Sequence, residues 1–238
     1  DFDTTQGQPY LVMEYVPGLA LSAYLRSLHE NKLRLEYPVA ARLLTSLAEA
    51  LQYAHESGVI HRDVKPGNIL LNSRNTPIEK SKPLPSDVQP VLTDFGLVRY
   101  LNSASQTATG QIAGTPAYMS PEQARGERTD ARTDIYSLGI VLYEVLAGRV
   151  PFEADSTMGV LLKHISEPPE PIPGLAPALQ AVIDRALAKK PEDRFQTPLD
   201  FALAFEAALH ERADAPTLMP SVFHAPPKMD GSTRKPSP

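Results

Sequence analysis

Residues 61–68 read His-Arg-Asp-Val-Lys-Pro-Gly-Asn, and 26 residues after Asn68 stands Asp94, within Thr-Asp-Phe-Gly. Asp63, Lys65, Asn68 and Asp94 supply two carboxylates, an ammonium and an amide. Carboxylate and amide oxygens suit a hard divalent cation, usually in company with phosphate oxygens. A nearby lysine can neutralise charge that develops on a transferred group, and a carboxylate can take a proton from a hydroxyl. An isolated Asp is more often a helix cap or an exposed ion-pair partner. Six fixed positions within eight, however, arise by chance in a chain this long well below about one time in ten thousand. The four residues are therefore read as one set.

A second group of residues follows in order. Gly114-Thr115-Pro116-Ala117-Tyr118-Met119-Ser120-Pro121-Glu122 begins 20 residues after Asp94, then comes Asp134-Ile135-Tyr136-Ser137-Leu138-Gly139, then Arg194 within Pro-Glu-Asp-Arg-Phe. The order and spacing resemble the carboxyl-terminal lobe of a eukaryotic-like protein kinase. The wording from Gly114 to Gln123 is most similar to bacterial members of the serine/threonine branch. The resemblance covers roughly residues 9–209.

That resemblance implies a set of roles. Asp63 is the catalytic aspartate that accepts or orients the substrate hydroxyl proton. Lys65 steadies the transferred phosphate, and Thr115 bridges the two. Asn68 and Asp94 hold Mg²⁺, which neutralises phosphate charge during phosphoryl transfer from ATP. Adenine lies on a hinge at Glu14 and Val16, with Met13 as gatekeeper and Leu70 beneath the base. Arg62 and Arg99 form a basic pocket for a phosphate on the activation segment, with Thr107 and Thr109 as candidates in a hydroxyl-rich stretch; pairing with arginine would order that segment. Glu122 and Arg194 make a buried ion pair. Asp134 anchors the His61–Arg62 turn through backbone donors, and His61 and Phe95 join a side-chain stack.

These side chains need a frame to hold them. Residues 37–56 repeat apolar side chains at three- and four-residue steps and stop before Gly58, which predicts a helix. Residues 135–146 are apolar nearly all round, which predicts a central buried helix. Residues 177–189 and 198–211 read as amphipathic helices, and 10–15, 69–71 and 91–93 as short strands. The expected fold is mainly α: a helical kinase-like C-terminal lobe with a few short strands. Residues 1–16 would be a remnant N-lobe strand and hinge, and 17–211 the lobe itself. Within it lie a catalytic loop at 61–68, a surface insertion at 73–90 and an activation segment at 94–122. Residues 212–238, with six prolines, read as a flexible tail.

Composition narrows the classes further. The 238 residues carry 23 basic and 28 acidic side chains, a net charge of −5 that argues against a grip on nucleic acid or an anionic membrane. No cysteine is present, which excludes disulfides and thiolate metal sites. The chain begins with Asp1 and contains no G-x-G-x-x-G, so truncation upstream of the hinge is the expectation. With it goes the expectation that this polypeptide alone transfers little phosphate. The resemblance implies ATP and Mg²⁺ as cofactors, proteins bearing Ser or Thr as substrates and a cytoplasmic kinase. It leaves room for a kinase dimer that phosphorylates in trans and for a membrane tether beyond Pro238. Two alternatives compete. One is a pseudokinase scaffold, disfavoured because Asp63, Lys65, Asn68 and Asp94 are all present. The other is a small-molecule phosphotransferase, disfavoured by the peptide-platform wording of residues 114–122.

Overall fold

The computed structural model describes residues 2–5, 8–11, 14–95 and 116–213. Strands β1 (Phe2–Thr5) and β2 (Gln8–Leu11) pair antiparallel as a hairpin. The strand expected over 10–15 is thus displaced: β2 ends at Leu11, and residues 14–17 have no regular structure because they form the link into the helical body. Strand β3 (Leu19–Ala20) runs straight into helix α1 (Leu21–Glu30), whose Leu21, Tyr24, Leu25 and Leu28 face the core at helical spacing. Helix α2 (Tyr37–Glu56) starts with a proline in its first turn, where no intrahelical N–H is needed. It closes at Gly58, whose φ of 75° is left-handed.

Strands β4 (Ile69–Asn72) and β5 (Gln89–Leu92) complete an antiparallel sheet of order β3-β4-β5. Ala20 faces Leu70 across one ladder, and Ile69 faces Leu92 across the other. Along β4, Ile69 and Leu71 are buried while Leu70 and Asn72 are half-exposed, so one face meets the core and the other stays open. Residues 73–88 connect β4 to β5. Gln89 and Pro90, expected within the insertion, are instead part of β5, an edge strand where proline is tolerated. The insertion is strapped down as well as exposed. Leu84 is buried, the Tyr24 hydroxyl donates to the Lys82 carbonyl at 2.6 Å, and Ser81 meets Ser27 and Asn31 of α1 and its C-cap.

The remaining elements are helical: α3 (Pro121–Ala124), α4 (Arg132–Ala147), α5 (Thr157–Ser166), α6 (Pro177–Ala186) and α7 (Pro198–Ala213), with single 3₁₀ turns at Pro116–Tyr118 and Pro191–Asp193. Helix α4 is buried along nearly its whole length and packs against α2, α6 and α7. Gly139 permits the contact with α6, because a Cβ there would press within 3.1 Å of Ala186. Helix α6 stops three residues short of the expected Lys189, where Leu187 turns inward to cap it. The architecture is a helical body with a small sheet on one side. Among the described residues, no helix is long and apolar enough to cross a membrane.

Candidate active site

The turn between α2 and β4 carries residues 61–68, and three partners hold it. Asp134, in the first turn of α4 and fully buried, accepts from the backbone N–H of His61 at 2.8 Å and of Arg62 at 2.7 Å. His55, from the last turn of α2, meets the same carboxylate at 2.7 Å. A buried charge is costly unless it is hydrogen-bonded, and three donors supply that compensation. The His61 ring is buried; its Nδ1 accepts from the Asp63 N–H at 3.2 Å, so Nε2 is the protonated nitrogen and donates to the Thr93 carbonyl at 2.9 Å. This ties the turn to the end of β5. Arg62 has φ 64°, a conformation costing on the order of 1–3 kcal/mol that persists only where the surroundings impose it. Gln123 Nε2 donates to the Arg62 carbonyl at 2.8 Å, and Arg62 Nε donates to the Thr129 hydroxyl at 3.1 Å.

The strained turn aims Asp63 at its neighbours. Lys65 Nζ and Asn68 Nδ2 both reach Asp63 Oδ2, at 2.7 and 2.9 Å, and Asn68 Nδ2 also donates to the Asp63 carbonyl at 2.9 Å. With its amide nitrogen engaged there, Asn68 shows no partner for its side-chain oxygen among the described residues. The Thr93 N–H and hydroxyl both donate to the Asn68 carbonyl, at 2.9 and 3.1 Å, so Asp94 follows directly from the residue clamped to Asn68. Asp94 also has φ 64°, a left-handed conformation that Asp tolerates better than most residues. The next residue, Phe95, lays its ring 4.5 Å from that of His61 and remains 38% exposed. Asp63, Lys65, Asn68 and Asp94 therefore sit together at one end of the β4–β5 ladder.

Other expected residues fall around this centre. Leu70 lies on the open face of β4 beside Ala20. Glu14 is exposed and Val16 half-exposed, on the segment leading to β3. Met13, Arg99, Thr107, Thr109 and Thr115 lie outside the described residues. Glu122 and Arg194 are both buried and form a two-pronged pair, each oxygen 2.8 Å from a guanidinium nitrogen. Burial pushes the Glu122 carboxyl up, but Arg194 more than offsets it and holds it below its ordinary range. Arg194 spends its remaining donors on the carbonyls of Ala188, Arg132 and Lys189.

Four residues with no role expected from the sequence also shape the site. Gln123 completes a capping box with Ser120 at the start of α3 and reaches the 61–68 turn. The signal was available in Ser-Pro-Glu-Gln, an S-x-x-Q pattern. His55, Thr93 and Thr129 carry no such pattern; only the fold brings them to Asp134, His61 and Arg62.

A family model described as the protein kinase domain matches residues 1–208. The chain belongs to the protein kinase family. It is 40% identical over 220 residues to the serine/threonine-protein kinase Pkn1 of Myxococcus xanthus, covering 89% of this chain and 29% of that protein. It is 41% identical over 196 residues to the serine/threonine-protein kinase PknB of Mycobacterium leprae, covering 79% of this chain and 28% of that protein. The chain thus spans under a third of these relatives' length. A crystal structure of the Mycobacterium tuberculosis PknI kinase domain superposes with a TM-score of 0.64 at 28% identity, covering 88% of this chain and 70% of that one. Protein kinases as a family use ATP with Mg²⁺ and act on proteins.

The donor set is compatible with that metal. Among the described residues no cluster of three or more His or acidic side chains forms a self-sufficient cage. Mg²⁺ keeps several waters and is usually bound by one or two protein oxygens together with substrate phosphates. One amide oxygen and one carboxylate, on adjacent clamped segments, make up that sparse set.

Proposed function

We propose that this chain supplies the catalytic half of a bacterial-type protein kinase that moves the γ-phosphate of ATP onto Ser or Thr hydroxyls of proteins. The observation that carries this reading is the Asp63 carboxylate, held by Lys65 and Asn68 at 2.7 and 2.9 Å beside the start of Asp94. In this reading Asp63 takes the proton of the attacking hydroxyl, and its hydrogen bonds fix which oxygen faces the substrate. Lys65 Nζ, 2.7 Å from the same carboxylate, would meet the negative charge that builds on the transferred group. Asn68 and Asp94 would hold Mg²⁺, which when bound neutralises phosphate charge and orients the triphosphate. Leu70 offers an apolar floor for adenine, and the backbone at Glu14 and Val16 its hydrogen-bonding edge. The chain spans under a third of the relatives it matches, so this activity is proposed for the full-length gene product.

Arg62 fits a regulatory role. Its Nε is held by Thr129, so the guanidinium is pre-oriented beside the catalytic turn, where a phosphate on Thr107 or Thr109 could pair with it and with Arg99. Radiolabel transfer from γ-labelled ATP to a protein substrate tests the main reading. Full-length protein should transfer label, and Asp63→Asn should lower the rate by about 10²–10⁴ while leaving thermal stability near wild type. An inactive wild type that still binds protein partners would replace the enzyme with a pseudokinase scaffold.

A further inference from the structure

His164, on α5, is fully buried. The Tyr136 hydroxyl, from α4, lies 2.9 Å from its Nδ1, and the Phe152 ring stands edge-on at 4.8 Å. Among the described residues its Nε2 is buried with no hydrogen-bond partner. The peptide groups of Ala117 and Pro116 flank the ring and favour its protonated form, but outside hydrogen-bonding geometry. Against them, burial first and the charge of Lys189 second hold the imidazole down to about 4, so the ring is neutral at ordinary pH.

A neutral imidazole has one donor and one acceptor. Nδ1 faces the Tyr136 hydroxyl, while the Pro116 and Ala117 peptide groups favour a proton on the ring; the tautomer that serves both carries its proton on Nε2, and the phenol donates to Nδ1. That leaves Nε2–H as a donor aimed at the backbone of residues 116 and 117. A buried donor without an acceptor is destabilising and calls for a reason. The segment it faces is the 3₁₀ turn Pro116–Tyr118, which α5 packs against and which leads through the Ser120 cap into α3. Gln123 of α3 in turn holds the Arg62 carbonyl. The tyrosine, the histidine and the turn thus form one column from the central helix to the surface that faces the catalytic turn.

We infer that His164 is a positioning residue for the protein substrate: its Nε2–H is a latch that engages a carbonyl of the Pro116–Ala117 segment when the substrate chain seats on residues 116–122. This rests on the kinase reading above. A small shift of the turn closes the bond, so satisfaction of the donor favours the substrate-bound arrangement over the free one. The nucleotide side of the site, at Leu70 and the hinge, has no part in it.

Steady-state kinetics of the full-length gene product, with dephosphorylated casein as the probe substrate, test the latch. His164→Leu, which keeps bulk and removes both nitrogens, should raise KM for casein about 5- to 10-fold and leave KM for ATP unchanged. His164→Gln, whose amide can accept from Tyr136 and donate to the turn, should return KM for casein to within about twofold of wild type. Tyr136→Phe frees the ring to adopt the other tautomer and should shift KM for casein in the same direction as His164→Leu; it decides the matter if the leucine variant does not fold. An unchanged KM for casein in an active enzyme, or equal changes in KM for both substrates, overturns the latch and leaves the kinase reading intact. Absence of phosphoryl transfer by the wild type removes both.

Discussion

Replacing Arg194 by methionine is the most direct challenge to the packing logic of the helical body. All five guanidinium N–H groups are used: two on Glu122 and three on backbone carbonyls of Ala188, Arg132 and Lys189. The residue has no exposed surface, so no water replaces those donors. Arg194→Met leaves Glu122 as a buried carboxylate without its counter-charge, a change that costs about 3–5 kcal/mol. Against a total stability on the order of 5–15 kcal/mol, that is a large fraction. For a domain of this size each kcal/mol lowers Tm by about 2–4 °C, so the expected fall is about 6–20 °C. Circular dichroism melts at pH 7 measure it directly. The double variant Glu122→Gln with Arg194→Met should melt above Arg194→Met alone, because no orphan charge stays buried. Arg194→Lys should recover only part, since an ammonium cannot span both oxygens of Glu122 and three carbonyls. A Tm for Arg194→Met within about 2 °C of wild type would refute the reasoning.

Three other outcomes follow from the same structure. Asp134→Asn places an amide N–H₂ against one of three donors, from His61, Arg62 and His55; the loss of about 1–3 kcal/mol should speed exchange of the His61 and Arg62 amides about 5- to 150-fold, read by hydrogen-exchange mass spectrometry. Gly18→Ala puts a Cβ 2.2 Å from the Leu71 carbonyl, so the β3–β4 pairing should loosen at a cost of about 1–3 kcal/mol, visible as lost protection at Leu19 and Leu71. Stability should also fall on acidification. His164 is held down from 6.5 to about 4, so the fold favours its neutral form. That contribution is present above pH 6.5 and is lost as pH falls towards 4, on the order of 3 kcal/mol, while Glu122 adds a loss of the same sign at lower pH. Urea melts at pH 7 and pH 4.5 should show the difference, and His164→Gln should reduce it.

The boundaries of α2 are legible in the chain because their causes are local. A proline opens the helix, leucines and alanines recur at its core-facing positions, and Gly58 supplies the left-handed stop. The apolar run of α4 announces its burial in the same way, since a helix without a polar face has no other stable place. Helices α1 and α5, at ten residues each, are too short for periodicity to announce them, and among the described residues strands β1 and β2 pair with each other alone, so the expected 10–15 strand shifted to pair with Phe2–Thr5. The residues proposed to bind a metal–phosphate group and take a proton are written in sequence as types and spacings, because that chemistry depends on which atoms are present. The tertiary structure decided what holds them. Asp134 must bring its carboxylate across 73 positions to reach His61, and Arg194 crosses 72 to reach Glu122. The contacts of His55 with Asp134, Gln123 with Arg62 and His164 with Tyr136 formed only when separate segments converged, since a hydrogen bond between distant segments leaves no periodic trace in either one.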